Sequence, residues 1–176
     1  MTEQTLSTQR IDTASVSMTS SHFSSDDNAL SWRHWRVKDT DASQARILIV
    51  DDDPKMIQLI EEVLDLMPSE ILVENDGEAA ITLLQREVER DRVDAVLLDI
   101  MMPGEDGFHT LDRIKSTPRL RSIPVILITG LDSVEAKTRG LQMGADDYII
   151  KPFDPQELLA RLDVVLRIRH TERMLR

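Results

Sequence analysis

The chain has 176 residues, 41% of them apolar, a net charge of -11 and no cysteine. That length carries one domain with a full core plus extra segments; the acidity excludes broad nucleic-acid binding unless a basic patch is segregated, and the missing thiols exclude a disulfide framework or a thiolate metal site and fit a reducing compartment. No apolar stretch approaches the roughly 20 residues that span a bilayer, and Met1 to Ser21 lacks the basic start and apolar centre of a signal peptide, so a cytoplasmic protein without membrane insertion is expected.

Residues 1–45 are rich in Ser, Thr, Asp and Gln and follow neither helical nor strand periodicity, which predicts a disordered extension. Its one concentrated feature is Trp32-Arg33-His34-Trp35-Arg36, which holds both tryptophans and is either a docking segment or part of a linker. From Arg46 the pattern alternates strand and helix, the signature of βαβ units feeding a parallel sheet. Ile47-Leu48-Ile49-Val50 reads as the first strand and is followed by Asp51-Asp52. Asp53-Pro54 then supplies an N-cap and a first-turn proline for a helix carrying Ile57, Ile60, Leu64 and Met67 and ending at Pro68. Ile71 to Glu74 is the second strand; Asn75-Asp76-Gly77 opens a helix with Ala80, Ile81, Leu84 and Val88 on its inner face. Ala95-Val96-Leu97-Leu98 is the third strand and ends at Asp99, and a third helix runs from Gly107 to about Lys115 with Leu111 and Ile114 inward. Val125 to Ile128 is the fourth strand and leads into Thr129, and Asp132 or Ser133 caps the fourth helix. Tyr148-Ile149-Ile150 leads into Lys151-Pro152, and Pro155 opens a fifth helix through Leu158, Leu159, Leu162, Val165 and Leu166.

Each buried run therefore ends on a polar residue. In an open parallel sheet the carboxyl ends of the strands form the ligand crevice, so Asp51-Asp52, Asp99, Thr129 and Lys151 converge there although they are far apart in sequence. Phosphoryl transfer needs an oxygen nucleophile and cations that neutralise the charge spread over the equatorial oxygens. Asp99 is the candidate nucleophile and Lys151 the candidate cation. Three close carboxylates would leave one protonated unless a divalent ion joined them, and magnesium suits an oxygen donor set of this kind. The four histidines are scattered without zinc-like spacing.

Four segments in this order carry a resemblance: Ile-Leu-Ile-Val-Asp-Asp-Asp-Pro, Leu-Leu-Asp-Ile-Met-Met-Pro-Gly-Glu-Asp-Gly-Phe, Ile-Leu-Ile-Thr-Gly and Gly-Ala-Asp-Asp-Tyr-Ile-Ile-Lys-Pro-Phe. Together they resemble the response-regulator receiver domain of two-component signal transduction, over about 46–169. The resemblance implies a doubly wound five-stranded parallel sheet of order 2-1-3-4-5 with five helices, followed by a helical extension or linker at 170–176. It implies that Asp99 accepts a phosphoryl group from a sensor histidine kinase or phosphotransfer protein. Mg2+ would be held by Asp52, Asp99 and the backbone carbonyl of Met101, with Asp51 acting through water; Asp53 is read as the helix cap instead. Thr129 would sense the phosphoryl group, Tyr148 would rotate inward as the switch, and Pro152 would follow a cis bond.

Such a domain is a signalling switch, with auto-phosphorylation and auto-dephosphorylation as its only chemistry, and is not an enzyme in the ordinary sense. Its expected partners are the kinase, a downstream protein or output domain, and a second copy through the fourth helix, fifth strand and fifth helix; no direct nucleic-acid contact is expected. Two alternatives stand beside it. Arg167 to Arg176 resembles the helical linker that joins a receiver to an output module such as a diguanylate cyclase or kinase; a pseudo-receiver would bind partners without phosphorylation. An aspartyl-phosphate hydrolase would call for Asp-x-Asp-x-Thr, and Asp51-Asp52-Asp53-Pro54-Lys55 lacks the threonine. By the same resemblance Met101 and Leu131 flank the phosphoryl entrance; both are apolar, which predicts a long-lived phosphoryl-aspartate. Gly130 stands where alanine is frequent and should loosen its loop slightly.

Overall fold

The computed structural model describes residues 45–88 and 93–175. The expectations for the N-terminal extension, including Trp32 and Trp35, and for the Val88 side chain lie outside the described residues. The elements are β1 (Ala45–Val50), α1 (Pro54–Leu64), β2 (Ser69–Glu74), α2 (Gly77–Val88), β3 (Ala95–Leu98), α3 (Gly107–Ser116), β4 (Val125–Thr129), α4 (Val134–Gln142), β5 (Asp147–Ile150) and α5 (Pro155–Met174). The five strands form one parallel sheet in the order 2-1-3-4-5, as the resemblance implied. A two-residue hairpin, Met101–Met102 against Glu105–Asp106, lies between β3 and α3. Its turn is Pro103-Gly104, and Gly104 takes φ of 80°, a conformation that a residue with a Cβ adopts only under strain.

The central strands are buried on both faces, which is why they read as unbroken apolar runs. Leu48, Val50, Val96, Leu98, Val125, Leu127 and Tyr148 share a core with Ala80 and Leu84 of α2 and Leu111 and Ile114 of α3. The alternate residues Ile47, Ile49, Leu97, Ile126, Ile128 and Ile149 are equally buried and point the other way, toward the side where α1 and α5 pack on one another.

Side chains start all five helices, and for α2 it is the Asp76 carboxylate, which accepts the Ala79 N–H at 2.7 Å. The carboxylates of Asp53, Asp106 and Asp154 accept backbone N–H groups of Lys55, Phe108 and Gln156, and the Ser133 hydroxyl caps α4 by accepting from Ala136. α1 stops at Leu64, earlier than the periodicity through Met67 suggests. Leu66 and Met67 bond back three residues, to Val63 and Leu64, so the chain tightens out of the α-helix while Met67 still reaches the core.

Strand order reverses between β1 and β3. Val50 and Leu98 are register partners at the carboxyl ends of these adjacent strands, so the residues that follow, Asp51 and Asp99, come together at the switch point of the sheet.

Candidate functional site

Asp51 and Asp99 leave their strands side by side and are turned inward by their own backbones. The Asp99 N–H donates to the Val50 carbonyl at 2.9 Å, and the Asp51 N–H to the Glu74 carbonyl at 3.3 Å. Each carboxylate then takes an N–H from two residues on: Asp53 donates to Asp51 Oδ1 and Met101 to Asp99 Oδ1, both at 2.9 Å. Lys151 closes the arrangement. Its Nζ donates to Asp51 Oδ2 and to Asp99 Oδ2, each at 2.7 Å, and all three side chains are largely buried. The Lys151 N–H also donates to the Thr129 carbonyl at 2.8 Å, and the Lys151–Pro152 bond is cis. Asp52 remains exposed at the rim, yet one oxygen from each of Asp51, Asp52 and Asp99 lies within 4.8 Å of the others.

The charges do not balance locally. Burial pushes the Asp51 carboxyl above the usual carboxylate range; the Lys151 and Asp53 hydrogen bonds oppose this, and the Asp99 charge adds to it. Burial tends to lower Lys151, but its bonds to Asp51 and Asp99 outweigh that and hold it above the ordinary lysine value. One ammonium thus serves two buried carboxylates with a third at the rim. That set of hard oxygen donors with surplus negative charge fits Mg2+, for which carboxylate oxygen, backbone carbonyl and water are the preferred ligands.

Thr129 is fully buried at the end of β4, and its Oγ1 accepts from the Leu131 N–H at 3.3 Å. Tyr148 lies inward, 3% exposed, with its hydroxyl donating to the Leu131 carbonyl at 2.5 Å. The Tyr148 hydroxyl is therefore neither wet nor loose. Burial, with the Asp132 and Asp99 charges, raises its pKa above the ordinary tyrosine value. The loop at Leu131 is tied to both side chains. Beyond it, α4 packs closely on β4 at Gly140, where an added Cβ would fall 2.5 Å from Leu127 Cδ1, and its Arg139 lies 4.1 Å from the centre of the Phe108 ring.

Asp53 caps α1 through Lys55, in line with its reading as a cap. Met101 is 57% exposed at the mouth, and its sulfur sits 4.0 Å from where a Cβ on Gly130 would be. Gly107 has a role beyond opening α3. An added Cβ there would lie 2.2 Å from the Asp99 carbonyl oxygen and 2.6 Å from Ile100 Cα, so the β3–α3 connection can fold against α3 only with glycine at this position. Its place in the Pro-Gly-Glu-Asp-Gly segment was the available signal, and periodicity alone does not extract it.

The family described as response regulator receiver domain matches residues 47–163. The transcriptional regulatory protein CpxR of Klebsiella pneumoniae subsp. pneumoniae (strain HS11286) is 42% identical over 125 residues, covering 71% of this chain and 50% of that protein. The response regulator PleD of Caulobacter vibrioides (strain NA1000 / CB15N) is 40% identical over 125 residues, covering 71% of this chain and 27% of PleD. The chain thus spans half the length of CpxR and less of PleD. Among solved structures, the signal receiver domain of an HD domain-containing protein from Pseudomonas fluorescens Pf-5 superposes with a TM-score of 0.66 at 30% identity, covering 74% of this chain and 93% of that one. The chemotaxis response regulator CheY4 of Vibrio cholerae gives 0.63 at 28% identity, covering 70% and 99%.

Proposed function

The chain belongs to the response regulator receiver domain family, and from that premise we propose that Asp99 is the phospho-acceptor of a two-component switch. The observation that carries this reading is the buried Asp99 carboxylate at the strand-order reversal, with Lys151 Nζ at 2.7 Å and two further carboxylates beside it. An Asp99 oxygen attacks the phosphorus of a phosphohistidine on a sensor kinase or phosphotransfer protein. The new P–O bond forms as the P–N bond breaks, and the imidazole leaves with the electron pair and takes up a proton. Lys151 turns from the carboxylates to the phosphoryl oxygens and offsets their charge. Asp51, Asp52, Asp99 and the Met101 carbonyl would hold Mg2+, which when bound supplies further positive charge for the transferring group. Such donors place the domain in the cytoplasm, and its product is a protein state.

The output runs through Thr129. Its hydroxyl now accepts from Leu131; a phosphoryl oxygen on Asp99 would recruit it as a donor and draw the Leu131 loop inward. Tyr148, hydrogen-bonded to the Leu131 carbonyl in the inward position, would report that movement to the surface of α4, β5 and α5, where a downstream partner or a second copy reads it.

The test is incubation of the chain with a small acyl-phosphate donor and magnesium, followed by intact mass. One added phosphoryl group, absent without magnesium or in Asp99→Asn, is the expected result. A folded protein that binds magnesium but gains nothing would favour the pseudo-receiver. A second reading, the regulatory segment of a longer output protein such as a diguanylate cyclase or kinase, draws support from α5, which continues as helix to Met174.

A further inference from the structure

α5 is apolar on two opposite faces, and the sheet uses one of them. Leu158, Leu159, Leu162, Val165 and Leu166 are buried against the core. On the other face Val164 is 49%, Ile168 57% and Leu175 82% exposed. At about 100° per residue, Val164, Ile168, Thr171 and Leu175 fall within about 60° of arc, roughly opposite the buried face. A surface helix ordinarily needs a single apolar stripe. The second stripe is spaced four, three and four residues apart, which is the alternation of a coiled-coil seam.

We propose that the C-terminal half of α5 pairs in parallel with the same segment of a second copy of this chain. The flanking charges specify both occupant and direction. Arg167 and Glu172 border the stripe on opposite sides, five residues apart. In a parallel pair Arg167 of one copy therefore meets Glu172 of the other, and the two-fold axis repeats the contact. An antiparallel pair would set Arg167 against Arg167 and Glu172 against Glu172. Arg167 is 62% exposed and pairs with Asp163 of its own helix at 2.8 Å, a surface pair that exchanges at little cost.

The stripe also forms one wall of a groove facing Asp146 and Asp147. Those two carboxylates already have Lys115 and Arg161, each at 2.8 Å. The seam leaves α4 out and stands whether or not Asp99 accepts a phosphoryl group. Its one and a half heptads make a concentration-dependent contact rather than a permanent dimer.

The chain has no cysteine, so one introduced thiol reports cleanly. Thr171 is exposed and lies on the seam, where two copies in parallel place it against itself. Mild oxidation of the full chain carrying Thr171→Cys should give a disulfide-linked dimer on a non-reducing gel. Adding Ile168→Glu should cut the yield at least fivefold; Glu172→Arg should lower it, and Arg167→Glu added to Glu172→Arg should restore it. Lys137→Cys, exposed on α4, should not cross-link. No dimer at 171, a yield indifferent to Ile168→Glu, or cross-linking at 137 in place of 171 would overturn the proposal.

Discussion

The two ends of the sheet supply their acids with cations in different measure. At the amino-terminal edge the acids are well supplied with donors: Asp94 accepts the Arg46 N–H at 2.9 Å and Arg173 Nη1 at 2.6 Å, and Asp146 Oδ2 accepts Lys115 Nζ and the Val125 N–H, both at 2.8 Å. Glu70 and Glu87 share Arg46, at 2.8 and 2.9 Å, and Arg86 adds a second cation to Glu87 at 3.4 Å, so that Glu87 is held below the usual carboxylate range. At the carboxyl end, Asp51 and Asp99 share the single ammonium of Lys151, and burial raises Asp51. Paired charges fasten elements together; a charge surplus is kept only where something else is to be bound. The contrast marks one edge as structural and the other as the working face.

The sharpest way to break it is to remove the shared cation. Lys151→Met leaves two buried carboxylates without a partner and should cost about 3 kcal/mol in chemical denaturation with chelator present, the lower end for a broken buried pair. Magnesium should recover a large part of that. Asp51→Asn should move the other way and stabilise, because it removes repulsion from a site with too few cations. A destabilised Asp51→Asn would mean that this end is balanced after all.

Gly107→Ala tests the backbone that aims Asp99. A Cβ 2.2 Å from the Asp99 carbonyl forces the β3–α3 connection to move, and a misplacement near 1 Å should slow acyl-phosphate-driven phosphorylation about 100-fold with the fold retained. At the opposite edge Asp94→Asn should leave phosphorylation unchanged while lowering stability by about 1–3 kcal/mol, the usual cost of leaving partners unsatisfied. If Asp94→Asn slowed phosphorylation instead, the division between the edges would fail.

The working face was far more legible in the sequence than the structural one. β1, β3 and β4 are buried on both sides and so read as continuous apolar runs, and the polar residue that ends each run is the site residue. The amino-edge network gave no such sign: Arg46 reaches Glu70 and Glu87, 24 and 41 residues away, and Arg173 reaches Asp94 across 79. Such residues look like ordinary surface charge until the fold joins them. Gly107 was hidden for a related reason, since its constraint is a clash with the backbone of Asp99 and no periodicity encodes it. The end of α1 was missed because Met67 keeps the helical spacing of burial after the helix has tightened into a turn.

A smaller effect sharpens the chemistry of the working face. By the resemblance Met101 and Leu131 flank the phosphoryl entrance, and neither offers an attacking water a polar side chain. Leu131→Glu or Met101→Asn should shorten the lifetime of the phosphoryl-aspartate about tenfold, less than a fully positioned base contributes. Decay followed by intact mass after donor removal reads this directly, and an unchanged or slower rate sinks the idea.

The smallest effect belongs to Glu87, and its sign distinguishes the edges once more. Its hydrogen bond from Arg46 holds the carboxyl below the usual carboxylate range; burial opposes this, and the Arg46 charge and Arg86 assist. A folded-state value below the unfolded one means that the contribution is complete above the unfolded value and is lost as pH falls through the folded one. Stability measured by denaturant across the acid range should therefore decline less steeply in Glu87→Gln than in the native chain, and the two curves should converge at the most acidic pH. The Gln variant should start lower at neutral pH, because the ion pair with Arg46 is gone there. Parallel curves would mean that Glu87 is no better held when folded than when unfolded, and the amino-terminal edge would lose one of the paired charges that set it apart from the site.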